Sequence, residues 1–179
     1  MEYEIVYKGE GNTLTEDFID VGYMAESVEV EDLYGKNIIL KRSHTDKAMS
    51  LFISFPNLGN GFIKEIEIID KFMNAIQVDI HCYLIFASQI EEKVALKNRL
   101  NKFQVVFDTE NEFGSMYGTQ IVHGNLEGLL TKSLFLISKD GAIFYLDMPQ
   151  DLDKPLDLER LQIELNKAYT TYTGVGCHG

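Results

Sequence analysis

Two cysteines are the side chains of this sequence best suited to covalent chemistry. Cys82 lies inside an apolar run, and Cys177 precedes His178 near the end of the chain. A thiolate is a strong nucleophile, and a protonated histidine beside a thiol lowers its pKa, so both cysteines are candidate redox thiols. The alternatives are that Cys82 is a small core residue and that Cys177-His178 is a tail without catalytic or metal-binding function.

Other polar groups point more weakly to a bound ion. Gly59-Asn60-Gly61 precedes a helical pattern, and free amides at a helix start can hold an anion, but the lysine of a phosphate loop is absent. Four acidic residues late in the chain lack the alternation and the glycine of a calcium loop. These residues are Asp151, Asp153, Asp157 and Glu159. We therefore expect no bound metal and no cofactor.

The elements that would position these groups follow from hydrophobic periodicity. A largely apolar run from Ala48 to Phe55 is typical of a strand buried on both faces, and Pro56 ends it. A helix is predicted next, with Glu65 and Asp70 among its solvated residues, because apolar residues recur at spacings of three and four. These are Phe62, Ile66, Ile69, Met73 and Ile76. The run from Val78 to Ala87 predicts a second interior strand.

Later segments continue the alternation of strand and helix. Ser88-Gln89-Ile90-Glu91 has the form of a capping box and predicts a helix that ends near Lys102. A short strand at Val105-Val106-Phe107 and a short helix near 112–117 follow. Lys139-Asp140-Gly141 between two apolar runs predicts a β-hairpin, and the amphipathic pattern of residues 156–169 predicts a closing helix.

The first forty residues predict β-structure. Tyr3 to Tyr7 and Ser27 to Val30 are short apolar stretches separated by a turn cluster at 9–12, which indicates an N-terminal β-hairpin or ribbon, and Asn37 to Leu40 adds a strand. The whole order favours an α/β fold with a central mixed β-sheet and helices on both faces. We interpret residues 1–169 as one domain and residues 170–179 as a C-terminal tail.

Composition excludes several classes of function. The chain has 179 residues, 45% of them hydrophobic, which suits one domain with one core. Its net charge of −12 disfavours binding to nucleic acid and to anionic membrane surfaces. No apolar run is long enough for a membrane span and the start does not resemble a signal peptide, so we expect a cytoplasmic protein with both cysteines reduced.

A series of segments carries a family resemblance through its order and spacing. The segments are Val21 to Val30, Phe55-Pro56, Asp108, Phe113-Gly114, Tyr117-Gly118, Gly124 to Leu130, Ser133 to Tyr145 and Leu156 to Lys167. Together they resemble the thiol peroxidases of the peroxiredoxin family over nearly the whole chain, although Glu26 stands where the family has proline. The resemblance implies a thioredoxin-like fold of three layers.

The resemblance also assigns the site, and the sequence departs from it there. Pro56 matches the family proline, but Asn60 stands at the position of the family threonine, Ile63 at that of the peroxidatic cysteine and Lys132 at that of the arginine. Isoleucine offers no nucleophile, and lysine lacks the planar fork of a guanidinium. The resolving cysteine of the family would fall close to Lys97, where the predicted helix has none.

These departures lead to two hypotheses about function. The first is a thiol peroxidase-like protein that has lost peroxidase activity and serves in binding or assembly, with a protein partner that the sequence does not identify. The second is a thiol-dependent oxidoreductase that uses Cys177 or Cys82 in place of the family cysteine. The family activity would be thioredoxin-dependent peroxide reduction, so enzyme status stays open. The resemblance further implies a homodimer formed near the turn after Phe55 and the segment 114–130.

Overall fold

The architecture is one seven-stranded sheet with a smaller three-stranded sheet beside it. The computed structural model describes residues 3–15, 19–59 and 61–171. In chain order its elements are β1 (Tyr3–Tyr7), β2 (Glu10–Leu14), β3 (Val28–Glu31), β4 (Asn37–Leu40), β5 (Met49–Ser54), α1 (Phe62–Ala75), β6 (Ile80–Phe86), α2 (Lys93–Arg99), β7 (Gln104–Phe107), α3 (Glu112–Met116), β8 (Ile121–His123), β9 (Ser133–Ile137), β10 (Ile143–Asp147) and α4 (Leu158–Thr171).

The large sheet is mixed, with the order β10-β9-β5-β6-β7-β3-β4. Strands β5, β6 and β7 pair in parallel, and the remaining pairs are antiparallel. Every residue of β5 and β9 is buried, as expected of central strands that are covered on both faces. The apolar runs that predicted these strands therefore reflect their central position in the sheet.

Helices cover both faces of this sheet. On one face α1, α2 and α4 pack over β5, β6 and β9 in a core that includes Ile66, Leu96 and Leu161. On the other face α3 packs through Phe113 and Tyr117 against Phe52 and Phe135. The predicted α/β class with a central mixed sheet is confirmed. No helix within the described ranges is long and apolar enough to cross a membrane.

The predicted N-terminal hairpin is present, but its second strand was assigned wrongly. Strand β2 begins at Glu10, inside the segment interpreted as a turn, and pairs with β1 on one side and with β8 on the other. Buried Asn12 explains how a polar strand is held, because its Nδ2 donates to Asn125 Oδ1 at 2.8 Å and its Oδ1 accepts the Leu126 amide at 2.9 Å. Hydrophobic periodicity does not report such partners.

The predicted capping box is also wrong. Helix α2 begins at Lys93, and its N-cap is Glu92, which makes no side-chain capping bond. Gln89 has a different function, since its Nε2 donates to Glu31 Oε1 at 3.1 Å and to Asp32 O at 3.0 Å. These bonds hold the segment after β6 against the β3–β4 turn, so the helix starts later.

Asp70 was expected on the solvated side of α1 but is buried. Its carboxylate accepts three consecutive backbone amides, those of Asn101, Lys102 and Phe103, at 2.8 to 3.0 Å. Buried carboxylates are stable when their oxygens are hydrogen-bonded in this way. Asp70 therefore attaches α1 to the segment that leads from α2 into β7.

Candidate functional site

The turn between β5 and α1 shapes the candidate site. Phe55 and Pro56 are buried after the last residue of β5, and the Gly59 amide donates to Asn57 Oδ1 at 2.9 Å. Gly61 is the N-cap of α1 with φ of 81°, a left-handed conformation that glycine adopts without steric cost. Pro56 therefore lies in the turn between β5 and α1, and Asn60 lies outside the described residues.

The first residue of α1 faces inward. Phe62 is buried, and its ring centroid lies 5.5 Å from that of Phe55 and 6.0 Å from that of Tyr7. Three aromatic rings from the turn, the helix and the N-terminal hairpin thus pack together. Their packing fills the space behind the turn with hydrocarbon.

Lys132, the residue at the predicted arginine position, lies under this aromatic cluster. Its side chain is 1% exposed, and its Nζ lies 5.6 Å from the ring centroid of Phe55 and 5.2 Å from that of Phe62. Nζ donates to Glu65 Oε1 at 2.6 Å and to Lys154 O at 2.8 Å. The cation is therefore held by protein acceptors and by two aromatic faces.

Glu65 completes the arrangement from the first turn of α1. Its side chain is only 15% exposed, and its Oε2 accepts the Leu156 amide at 2.8 Å. A carboxylate is stabilised near the positive end of a helix, and here it also neutralises Lys132. The expectation that Glu65 is a solvated residue is therefore wrong. Two of the three ammonium protons of Lys132 are therefore bonded to protein acceptors, and the side chain is 1% exposed.

Ile63 lies on the other side of the turn, at the wall of a cleft of about 540 Å³ between α1 and α2. The apolar lining residues are Leu58, Ile63, Ile90, Ala95 and Leu96. Asn57, Gly59, Glu92 and Arg99 complete the lining, and Arg99 Nη1 lies 2.9 Å from Glu67 Oε1. None of the described lining residues carries a thiol or a hydroxyl group. The cleft therefore suits apolar contacts better than nucleophilic chemistry.

Cys82 is not brought to this cleft by any described contact. Cys82 is buried in β6, paired with Leu51 of β5, and desolvation raises the pKa of its thiol to about 12. A thiol in that state carries almost no thiolate at neutral pH, which agrees with a core role. Cys177 and His178 lie outside the described residues.

A second polar cluster lies at the opposite, amino-terminal ends of β5 and β6. The His44 and His81 rings stack with centroids 4.0 Å apart; His44 Nε2 lies 2.7 Å from Ser50 Oγ and His81 Nε2 lies 3.0 Å from Asp46 Oδ2. Burial, followed by the neighbouring His81, lowers the pKa of His44. The sequence did not predict this cluster, because the parallel register that places Ser50 beside His81 is set by the tertiary structure.

The late acidic residues shape the loop before α4. Asp151 Oδ1 accepts the Asp153 amide and Asp157 Oδ1 accepts the Arg160 amide, both at 2.9 Å. Among residues 3–15, 19–59 and 61–171, no group of three or more histidine, cysteine or acidic side chains is placed to hold a metal ion. Asp151 therefore serves as a turn acceptor and Asp157 as a helix-start acceptor.

Sequence comparisons agree with the resemblance. A family model described as Redoxin matches residues 65–161, more than half of the chain. A curated thiol peroxidase of Campylobacter jejuni is 34% identical over 67 residues. That match spans 37% of this chain and 37% of the relative, so it covers well under two thirds of either protein.

Solved structures with the same fold cover nearly the whole chain. A peroxiredoxin-like protein from Aquifex aeolicus aligns with a TM-score of 0.83 at 16% identity, over 93% of this chain and 97% of its own. A thiol peroxidase from Chromobacterium violaceum aligns with a TM-score of 0.82 at 15% identity, over 94% and 99%. At these identities the likeness establishes the peroxiredoxin form of the thioredoxin-like fold.

Proposed function

This chain belongs to the redoxin family, and we propose that it is a thiol peroxidase-like member without peroxidase activity, which acts as a binding or assembly protein. The observation that carries the proposal is the pairing of buried Lys132 with Glu65, next to an isoleucine where the peroxidatic cysteine is expected. Both the nucleophile and the free cation of the family chemistry are thereby replaced.

The chemistry of peroxide reduction explains why both replacements matter. A thiolate must attack one peroxide oxygen while a cation or hydrogen-bond donor stabilises the charge that leaves on the other. Ile63 supplies no electron pair for the first step. Lys132 is buried and already donates to Glu65 and to the Lys154 carbonyl, so we expect it to serve poorly in the second step.

The binding role is assigned to the cleft beside the turn. Its volume of about 540 Å³ accommodates one or two apolar side chains of a partner, and Leu58, Ile63 and Leu96 form its apolar wall. Glu92 and Arg99 at its polar side provide charges that would orient that partner. In this proposal, Ile63 makes a contact where a catalytic thiol would otherwise react.

The test is a reductant-coupled peroxidase assay on the wild-type chain and on Ile63→Cys. Wild type is expected to show no turnover above a no-protein blank. In Ile63→Cys the start of α1 is expected to lower the pKa of the new thiol but to give no further activation. The thiolate fraction, and with it the reactivity toward peroxide, is therefore expected to rise by about tenfold over free cysteine. Stopped-flow consumption of hydrogen peroxide measures both rates.

Ile63→Ser is the matched control, because it changes the size and polarity of the side chain without providing a thiol. Turnover by wild type that is lost in Cys82→Ser or Cys177→Ser would contradict the proposal and support the thiol oxidoreductase hypothesis. A rate for Ile63→Cys several orders of magnitude above free cysteine would show that the site still activates peroxide. The first result removes the proposed loss of activity, and the second removes the proposed loss of the cation that would activate peroxide.

We further propose a cytoplasmic homodimer assembled through the turn after Phe55 and the segment 114–130. The 45% exposed Met116, on α3 at the edge of that segment, supports an interface there. Light scattering at micromolar concentration is expected to give the mass of a dimer, and Met116→Asp is expected to shift it toward the monomer by placing an unpaired charge in the interface. A monomeric wild type would contradict the dimer.

A further inference from the structure

Strand β4 is an open edge of the large sheet. Its partner is β3, and no described residue pairs with its other side. The opposite edge is different, because the start of β10 is bonded to the segment before β3: the Gly22 amide donates to Ile143 O at 2.9 Å and the Ile143 amide to Tyr23 O at 2.8 Å. The β4 edge is thus the side of the sheet free to accept another strand.

The direction of the backbone groups along β4 follows from the hairpin register. The Asp32 amide donates to Lys36 O at 2.8 Å. Because hydrogen-bonded residues alternate along an antiparallel pair, the backbone groups of Lys36, Ile38 and Leu40 face β3. The backbone groups of Asn37 and Ile39, and of Lys41 after the strand, therefore face outward. This spacing is the one that an added strand requires.

The edge has neither a bulge nor a proline, which are two of the features that commonly prevent pairing, and its protection against other copies comes from its short length and its flanking cations. The β3–β4 register is regular over four residue pairs, without a bulge, and β4 contains no proline. Ile39 is 58% exposed and Asn37 is exposed, while Leu40 is buried in the core. A flat edge with an exposed isoleucine offers both main-chain hydrogen bonds and an apolar contact.

Charge distinguishes which strand would fit. Lys36, Lys41 and Arg42 flank β4, all are exposed, and the segment 36–42 contains no acidic residue, although the whole chain has a net charge of −12. None of these three side chains forms an ion pair with another described residue. On β3, Glu29 and Glu31 lie opposite Ile39 and Asn37, and Asp32 interacts with Lys36 at the turn, so the cations belong to the outer strand alone. Because an added strand would lie directly beside β4, the charges nearest to it would be these three cations, which are complementary to an acidic segment.

The same charges oppose pairing with a second copy. Antiparallel self-pairing centred on Ile39 would place Lys36 opposite Arg42 of the other copy, and like charges directly opposite are destabilising. Nucleic acid is disfavoured as well, because the remainder of the chain repels a long polyanion. We propose that the β4 edge binds an extended acidic peptide segment of another protein, which adds to the sheet as an eighth strand.

This surface is separate from the cleft beside the turn. Four strand spacings, about 19 Å, lie between β5 and β4 across the sheet. Peptide addition at β4 therefore does not depend on the chemistry at Ile63, and it stands if the proposed loss of peroxidase activity fails. The β4 edge would give the protein a second contact with a partner, made by backbone hydrogen bonds and charge, whereas the contact in the cleft is apolar.

The test uses a short capped peptide of alternating glutamate and valine, titrated into the full chain labelled with ¹⁵N. The expected result is saturable binding that weakens as salt rises, with slowed hydrogen exchange at the outward amides of Asn37, Ile39 and Lys41. The matched peptide of alternating lysine and valine is expected not to bind. A single-stranded oligonucleotide is the third probe.

Two variants separate main-chain from charge recognition. Ile39→Pro removes one outward amide and no bond to β3, so it is expected to weaken binding about tenfold, whereas Ile39→Thr keeps the amide and retains binding. If Ile39→Pro lowers the melting temperature, Lys41→Glu, outside the strand, provides the test through the lost charge. The proposal would be overturned if both peptides bound equally, or if slowed hydrogen exchange appeared elsewhere than at β4. It would also be overturned if the chain preferred the oligonucleotide, or if the chain formed a dimer that Ile39→Pro dissociates.

Discussion

Lys132→Met is expected to lower the free energy of unfolding by about 3–5 kcal/mol, because it leaves the Glu65 carboxylate largely buried without its cation. The variant also loses the bond to the Lys154 carbonyl and the contacts with the faces of Phe55 and Phe62. Urea unfolding followed by circular dichroism measures the change. Lys64→Met, on the exposed face of the same helix, is the matched control and is expected to change stability by less than about 0.5 kcal/mol.

A second substitution makes this prediction specific to the ion pair. Glu65→Gln in the Lys132→Met background removes the unpaired charge and keeps an acceptor for the Leu156 amide, so the double variant is expected to be more stable than Lys132→Met alone. Glu65→Gln alone is expected to be destabilising, because it leaves the ammonium unpaired. If the two substitutions add independently, the pair does not stabilise the site as described.

Asp70→Ala is expected to cost about 2–4 kcal/mol, because three consecutive backbone amides lose a charged acceptor. The measurement is again urea unfolding, supplemented by hydrogen exchange, in which the amides of Asn101, Lys102 and Phe103 are expected to exchange faster. Asp70→Asn retains an acceptor oxygen and is expected to lose less. This series tests the attachment of α1 to the α2–β7 connection.

The control for Asp70 is Glu67→Ala, one turn earlier on α1. Its partner Arg99 is more than half exposed, and an exposed salt bridge of this kind contributes about 1 kcal/mol or less. A loss for Asp70→Ala no larger than that for Glu67→Ala would mean that solvent replaces the carboxylate. The difference between the two variants therefore measures the effect of burial on an acidic side chain of one helix.

The parts of the fold that the sequence predicted are those with local signals. The buried run before Pro56, the three-and-four spacing from Phe62 and the Asp140-Gly141 step each encode their element within a few residues. Their outcomes, β5, α1 and the β9–β10 hairpin, agree with the predictions. Because the order of such elements restricts the topology strongly, the mixed sheet also followed.

The failures have a common physical cause. Asn12, Asp70 and Gln89 are polar residues whose partners lie 31 to 114 positions away along the chain. Hydropathy assigns such residues to turns, caps or solvent, and only the tertiary structure shows that their hydrogen bonds are made elsewhere. Because these partners are distant in sequence, hydropathy predicts an earlier start for helix α2 and a turn in place of strand β2.

The candidate site likewise has one part that follows from the sequence and one part that only the tertiary structure shows. The proposal that Ile63 stands at the cysteine position comes from residue order alone, since the family spacing counted from Pro56 ends at Ile63. The pairing of Lys132 with Glu65 could not be predicted in this way, because Glu65 is one acidic residue among several on the polar side of α1. The chemical consequence that we propose for a lysine at position 132 depends on that carboxylate, which lies 67 positions away along the chain.

The Lys132–Glu65 pair also bears on how the chain folds. It joins residues 67 positions apart, and its remaining bonds reach Lys154, 22 positions beyond Lys132, and Leu156, 91 positions beyond Glu65. A compact intermediate with α1 packed on the sheet, but with the loop before α4 still undocked, would hold a buried and incompletely satisfied ion pair. Closing so long a loop costs entropy before its contacts are made. We therefore expect the pair to disfavour partly folded states and to make closure of the first helix onto the core depend on completion of the carboxyl-terminal part.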